Sequence, residues 1–187
     1  MKLSQITFWC HEVIRSQAPE EGVYIDATMG NGSDTLFLCE LAGKRGRVLA
    51  FDIQDAALQK TAEVLKKHGC AERAELICDG HEHMDLYAEE ESADVICFNF
   101  GYLPGGDHAV ATKAATSVAA VGKGLRILKR GGMMSLCIYS GGDTGFEEKD
   151  RLLAFVKGLP PREYTVILNQ YYNRENNPPL PVFIFKG

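Results

Sequence analysis

Apolar runs recur along this chain with room for one helix between each pair: VYID at 23–26, RVLAF at 47–51, AELIC at 74–78, DVICFNF at 94–100 and MMSLCIY at 133–139. The segments between them repeat apolar residues at helical spacing. An amphipathic helix over 4–17 keeps Ile6, Trp9, Cys10, Val13 and Ile14 on one stripe and ends before Pro19. Further helices are expected from Ser33 to Ala42, stopped by Gly43, and from Asp55, read as the N-cap, to His68. A short one follows over 81–88, a long one over 109–130 closing at Gly131 and Gly132, and a last one from Gly145 to Lys157. Alternation of this kind folds as strands in a mostly parallel sheet, with right-handed crossovers placing helices on both faces. The uninterrupted DVICFNF is what a strand covered on both sides requires. The final runs YTVILNQ and PVFIFK have no helix between them and pair as an antiparallel hairpin at one edge. The expectation is one α/β domain over residues 1–187, a Rossmann-like seven-stranded sheet with a C-terminal hairpin and the helix within 1–18 packed on the core.

In such a sheet ligands sit at the carboxyl ends of the strands, and three aspartates fall there: Asp26, Asp52 and Asp79. Asp52 stands 22 residues beyond Gly30, the separation at which a carboxylate grips a ribose diol. Between the first strand and its helix runs DATMGNGSDT, residues 26–35. A dinucleotide site would place G-x-G-x-x-G here, with a pyrophosphate on the helix N-terminus. The third glycine is missing, and Asp34 stands where it would repel a pyrophosphate. A ligand without phosphate that carries a positive centre suits this loop, and S-adenosylmethionine is one. The loop matches the acid-x-Gly-x-Gly-x-Gly pattern of class I methyltransferases, with Thr28 in place of the first glycine. In CDGHE, Asp79 can accept from an adenine amino group, and Gly80 leaves room for the ring. His81 and His83 flank Glu82 in a His-x-His pair, but alternate residues on a helix do not face each other and no second ligand cluster exists. No metal is expected; the reading is a surface turn with His81 near the adenine.

The run FNFGYLPGGDH, 98–108, ends the fourth strand. Asn99-Phe100-Gly101-Tyr102 resembles the Asn-Pro-Pro-Tyr signature of methyltransferases acting on amino nitrogens, with Phe-Gly in place of Pro-Pro. An amine attacking a sulfonium methyl must aim its lone pair while its hydrogens find acceptors, and the Asn99 side-chain oxygen can be one. Tyr102 offers a face for a flat base. An alkylamine must first lose a proton, which Asp107 or His108 can take; Asp107 is also a candidate N-cap for the long helix. Covalent attack through a thiol is disfavoured, because none of the six cysteines has a nucleophile's setting.

Composition narrows the partners. A net charge of −5 and a pI near 5.6 argue against a broad basic surface for nucleic acid, though not against a folded RNA. The local clusters at 44–47 and 123–130 each lie near a helix C-terminus, where cations favour the helix dipole. The cysteines form no Cys-x-x-Cys pair and are read as reduced and buried, Cys78, Cys97 and Cys137 within strands. No apolar run approaches the ~20 residues of a membrane span, and the first residues lack a signal peptide's core, so a cytoplasmic location is expected.

IDATMGNGSDT, FDIQ, CDGHE, NFGYLPGGDH and NQYYNRENNPPLPVFIFK together resemble the small bacterial class I methyltransferases long called "putative rRNA methylases" and since assigned to tRNA wobble-uridine modification. The resemblance covers nearly the whole chain. It implies methylation of 5-aminomethyl-2-thiouridine in the tRNA anticodon loop, giving 5-methylaminomethyl-2-thiouridine with S-adenosylmethionine as donor. Carried over residue by residue, it implies cofactor contacts from Asp26, Thr28, Gly30, Asn31, Gly32, Asp34, Thr35, Asp52, Ile53, Gln54, Asp79, Gly80, His81 and Asn99. It makes Asn99, Tyr102 and Asp107 the catalytic set. It assigns Tyr102, Leu103, Pro104, Gly105, Gly106, Asp107, Tyr139 and Asp143 to the substrate. Many relatives carry a histidine in the turn after the fifth strand; this chain has Tyr139-Ser140-Gly141-Gly142-Asp143 instead, so either Asp143 contacts the substrate there or the turn is only scaffold. The loop YYNRENNPPL would overhang the same edge and offer Tyr171, Tyr172 or Arg174 to the RNA, or serve only as a hairpin loop stiffened by Pro178 and Pro179. The partner expectations are tRNA, no membrane, and a homodimer left open beside a monomer. The alternatives are an rRNA or small-molecule amine methyltransferase of the same fold and, in another class, a nicotinamide-dependent oxidoreductase or a non-catalytic nucleoside-binding domain.

Overall fold

A computed structural model describes residues 5–101, 112–140 and 142–187, without the side chains of 142–144. The order is α1 (Ile6–Gln17), β1 (Val23–Asp26), α2 (Ser33–Ala42), β2 (Arg47–Asp52), α3 (Asp55–Lys67), β3 (Ala74–Cys78), β4 (Ala93–Phe100), α4 (Ala114–Ile127), β5 (Leu128–Ile138), α5 (Gly142–Lys157), β6 (Tyr164–Leu168) and β7 (Leu180–Lys186). The seven strands form one sheet in the order β3-β2-β1-β4-β5-β7-β6. β1 to β5 pair in parallel, and β7 runs antiparallel to both β5 and β6. The reversal of order between β1 and β4 makes the switch point at which a doubly wound sheet opens a crevice.

Strand alternation divides the core into two layers. Ile96, Phe98 and Phe100 face α4 and α5 in one buried cluster with Met84, Leu125, Leu136, Leu152 and Ile184. Val95 and Cys97 face the other way, into a cluster with Cys10 and Ile14 of α1, Phe37 and Leu38 of α2, and Phe183. Phe51, Phe98 and Phe100 are fully buried, and truncating such a ring to alanine costs about 3–5 kcal/mol. By the same alternation, Asn99 at the end of β4 is delivered to the α1 and α2 side.

Three expectations change. The helix read over 109–130 begins at Ala114, with Lys113 as its N-cap, and ends at Ile127. Leu128 is instead fully buried and paired with Ala93, and the ladder resumes at Val95 with Met133 after an irregularity that includes Gly131 at φ 79°. Lys129 pins that irregularity, donating 2.9 Å bonds to both oxygens of Asp94. Asp55 is the first residue of α3, whose N-cap is Gln54; the carboxylate that accepts the Gln54 N–H is Asp52, at 3.0 Å. Cys78 is exposed, because it ends the edge strand β3, whereas Cys97 and Cys137 are buried in central strands.

Both basic clusters are engaged in local ion pairs. Arg45 pairs with Glu21 and Arg47 with Glu75. Lys123 pairs with Asp85, Arg126 with Glu90, Lys129 with Asp94 and Arg130 with Glu91. Among the described residues no helix is long and apolar enough to cross a membrane.

Candidate active site

The loop after β1 is fastened from beneath. Asp26 is fully buried. One of its oxygens accepts the Thr28 N–H at 3.2 Å and the other the Thr35 hydroxyl at 2.6 Å. Burial, with the Asp34 charge behind it, pushes the Asp26 carboxyl up to about 7. Gly30 and Gly32 both have positive φ, 51° and 80°. A Cβ at Gly32 would lie 2.9 Å from the Thr61 hydroxyl oxygen and 3.0 Å from the Thr61 Cα, so the loop passes over α3 only with glycine there.

Asp52 closes the loop from β2, accepting the Gly30 N–H at 3.1 Å through the oxygen that does not hold Gln54. Ile53 beside it is 62% exposed, an apolar face at the rim. Asp79 accepts from Gly80 N–H at 2.7 Å, bonds the His83 ring at 2.8 Å and accepts the Tyr87 hydroxyl at 3.0 Å. The His83 bond leads the contacts that hold the Asp79 carboxyl below its ordinary range. The missing Cβ of Gly80 faces the Glu82 carboxylate, 2.5 Å away, rather than open space.

His81 departs from the expected surface turn. It is buried in a short 3-10 segment, His81–Leu86, edge-on to the rings of Phe98 and Phe100. Burial lowers its pKa, and its Nε2 has no hydrogen-bond partner among the described residues. Asn31 Oδ1, in the loop after β1, is a second buried polar atom without one. His83 is exposed.

Asn99 is stitched to that loop twice. Its backbone N–H donates to Thr28 Oγ1 at 2.7 Å, which gives a physical reason for threonine where related loops carry glycine. Its side-chain Nδ2 donates to Asp34 Oδ2, also at 2.7 Å. A carboxylate only accepts, so the amide must turn its nitrogen to Asp34 and its Oδ1 away. The other oxygen of Asp34 bonds His11 Nε2 at 2.8 Å. The His11 ring stacks flat on Phe37, with centroids 3.8 Å apart and 6° between planes. Burial pushes the Asp34 carboxyl up, but the bonds from His11 and Asn99 outweigh it and hold it below its usual range. Under this array lies a cavity of about 10 Å³, near the room of a single water. It is walled by His11, Asp34, Asn99 and the buried Cys10, Cys97 and Cys137. His11 was not among the expected site residues.

On the far side of Asn99, Gly101 and Thr112 bond each other. The Gly101 N–H donates to Thr112 Oγ1 at 2.8 Å and the Thr112 N–H to the Gly101 carbonyl at 3.0 Å. Gly101 has φ 148°, and a Cβ there would meet the Tyr139 Cβ at 3.3 Å. Thr112 Oγ1 donates in turn to Glu148 at 2.8 Å, and Ser117 donates to the other Glu148 oxygen at 2.5 Å. Burial raises the Glu148 pKa, opposed by those two bonds. Glu148, another residue absent from the sequence reading, thus braces both ends of the run that begins at Tyr102. Tyr102, Leu103, Pro104, Gly105, Gly106, Asp107 and His108 lie outside the described residues, as does the Asp143 side chain. The α4 N-cap at Lys113 removes a capping role for Asp107 on that helix.

A family model described as "Putative rRNA methylase" matches residues 48–185. The chain belongs to this family. Over 93% of its length it is 36% identical to "tRNA (mnm(5)s(2)U34)-methyltransferase, chloroplastic" of Arabidopsis thaliana, covering 67% of that protein. It is 42% identical to a "putative rRNA-methylase" of Clostridium thermocellum, covering 95% of each chain with a TM-score of 0.93. It is 39% identical to a "putative methyltransferase" of Streptococcus mutans solved in complex with SAH, covering 97% of this chain and 98% of that one with a TM-score of 0.88. The sheet order and the antiparallel β7 are those of the class I methyltransferase fold shared with these family members.

Proposed function

We propose that the chain transfers a methyl group from S-adenosylmethionine to the amino nitrogen of 5-aminomethyl-2-thiouridine at the tRNA wobble position, giving 5-methylaminomethyl-2-thiouridine. Dependence on S-adenosylmethionine is common ground with the family, and the Streptococcus mutans relative carries the corresponding product. The amine substrate rests on one observation above all: Asn99, at the carboxyl end of β4, has its Nδ2 bound to Asp34, so its Oδ1 is not taken by that carboxylate and can accept from an amine. The name of the Arabidopsis relative supports the tRNA position.

The crevice suits this donor. Buried Asn31 Oδ1 and His81 Nε2 are polar atoms that a ligand would satisfy, and the glycine-rich loop admits close approach. Asp52 would hold the ribose diol, with Ile53 and Gln54 at the adenosine rim and Asp79 at the adenine amino group. Thr28, Gly30, Asn31 and Gly32 would line the methionyl portion. Asp26 and Thr35, spent on each other, shape the loop from inside. Asp34, with both oxygens engaged, contributes negative charge and orientation.

The bound donor supplies an electrophilic methyl on a sulfonium centre. Asn99 Oδ1 accepts a hydrogen of the incoming amine and so directs the nitrogen lone pair at that methyl. Positioning of this kind supplies most of what such a displacement needs. By the sequence assignment Tyr102 would stack the thiouracil ring, Leu103 to Gly106 and Tyr139 would contact the substrate, and Asp107 would take the proton the amine must lose. Burial raises the thiols of Cys39, to about 12, and of Cys97, which leaves neither a nucleophile at neutral pH.

Nucleoside mass spectrometry of tRNA from a strain lacking the gene tests the reading. The expected result is loss of 5-methylaminomethyl-2-thiouridine with accumulation of its aminomethyl precursor. Unchanged nucleosides in a strain with no redundant enzyme would contradict it, and thermal stabilisation by NAD but not by S-adenosylhomocysteine would favour an oxidoreductase.

A further inference from the structure

A second cleft opens beside the candidate active site, with an internal volume of about 190 Å³ and walls formed by Ile6, Trp9, Asn169, Gln170, Tyr171 and Pro181. At ~30 Å³ of liquid per water molecule it has room for a flat ring rather than a lone solvent molecule. Its place follows from strand register. Asn99 pairs with Cys137, and Cys137 with Pro181, so the three lie in one row across β4, β5 and β7. Neighbouring strands are ~4.8 Å apart, which sets the cleft about 10 Å from Asn99 along the carboxyl edge. α1 links the two places, since Trp9 lines the cleft and His11 holds Asp34.

The lining has the chemistry of a base-binding pocket. Asn169 is anchored through its backbone N–H, which donates to the Pro181 carbonyl at 2.9 Å. Its side-chain Nδ2 is buried and has no partner among the described residues, a donor whose isolation is costly until an acceptor arrives. Trp9 and Tyr171 supply aromatic surface, and the Arg174 guanidinium lies 3.9 Å from the Tyr171 ring centroid, adding positive charge to that wall. Stacking surface, an amide donor for a ring nitrogen or carbonyl, and a nearby cation are what single-stranded RNA readers combine.

We propose that this cleft receives the base of a nucleotide flanking the reacting uridine, so that the enzyme reads two bases of an unstacked anticodon loop. This rests on the proposed RNA substrate and extends it to a site of its own. An anticodon stem-loop carrying 5-aminomethyl-2-thiouridine, with 2-aminopurine at either neighbouring position, is the probe. Binding should quench 2-aminopurine at one of the two positions. Trp9→Ala and Asn169→Ala should abolish that quenching and weaken stem-loop binding about tenfold, with S-adenosylhomocysteine affinity unchanged and Trp9→Phe close to wild type. Wild-type quenching and affinity in both alanine variants, with methylation intact, would overturn the inference and leave the proposed function standing. If Trp9→Ala also loses cofactor affinity, Asn169→Ala and Tyr171→Ala decide by the same criterion. A wild-type enzyme that neither binds nor methylates the stem-loop would remove both proposals.

Discussion

The Asn99 amide donates to the Asp34 carboxylate at 2.7 Å, tying the end of β4 to the first turn of α2 across 65 residues of chain. His11 fixes the same carboxylate from α1, so three elements converge on Asp34, which in turn orients the Asn99 amide proposed to meet the substrate. Removing Asn99 should therefore affect turnover and leave the cofactor largely alone. Asn99→Ala is expected to lower kcat by about 10²-fold, the scale on which misplacing reacting groups acts, with S-adenosylhomocysteine affinity changed less than threefold. His11→Ala should lower kcat in the same direction but less, because Asp34 remains. Steady-state kinetics beside calorimetric titration of the product checks both, and equal losses in kcat and cofactor affinity would refute the assignment.

Asp52→Ala should behave in the opposite way. Its carboxylate already holds the Gly30 and Gln54 N–H groups, and a diol contact to a charged acceptor is worth about 1.5–3 kcal/mol. Titration calorimetry should show S-adenosylhomocysteine binding weakened by roughly ten- to a hundredfold, with kcat at saturating donor within about threefold of wild type.

Glu148 touches neither expected ligand, yet it braces Thr112 and through it Gly101. Glu148→Ala leaves the Thr112 and Ser117 hydroxyls without their acceptor, a loss of about 1–3 kcal/mol in stability. It should raise KM for tRNA several-fold while cofactor affinity holds. Glu148→Gln, which keeps one acceptor oxygen, should recover most of the tRNA KM. A KM unchanged in the alanine variant would show that the brace does not shape the substrate side.

Local motifs carried most of what the sequence disclosed. β1 to β4 were legible because short apolar runs stop at Asp26, at Asp52, at Cys78 before Asp79 and at Phe100 before Gly101, where the chain turns, and the cofactor loop was legible because its glycines and acids are contiguous. Partnerships across long separations were not. His11 on its own reads as one polar residue of an amphipathic helix, and Glu148 as one charge within FEEKDR; only packing gives each its role. The end of α4 was misplaced because the helical pattern continues past Ile127, while pairing with β4 and the Lys129–Asp94 bridge draw Leu128 into a strand. The surface reading of His81 failed because Phe98 and Phe100, far along the chain, cover it.

Asp26 should make stability depend on pH with an unusual sign. Its carboxyl is raised from 3.8 to about 7 in the folded chain, chiefly by burial. Between those values the native state keeps a proton that the unfolded state has released, so this group's contribution falls as pH rises and reaches its full penalty above about 7. Asparagine can accept from the Thr28 N–H and donate to Thr35 without that penalty. Asp26→Asn should match wild type near pH 4 and gain on it up to pH 7. The gap should grow by at most ~1.4 kcal/mol per pH unit, or ~2–4 °C in Tm for each kcal/mol at this chain length. Melting curves that run parallel across this range would count against a protonated Asp26.

The most direct measurement uses purified protein, S-adenosylmethionine with an isotopically labelled methyl group, and tRNA bearing 5-aminomethyl-2-thiouridine, followed by fragmentation mass spectrometry of the released nucleosides. The account predicts one labelled methyl on the exocyclic amino nitrogen, formed by wild type and strongly reduced in Asn99→Ala. Label on a ring carbon, on a ribose oxygen or only in rRNA would contradict it.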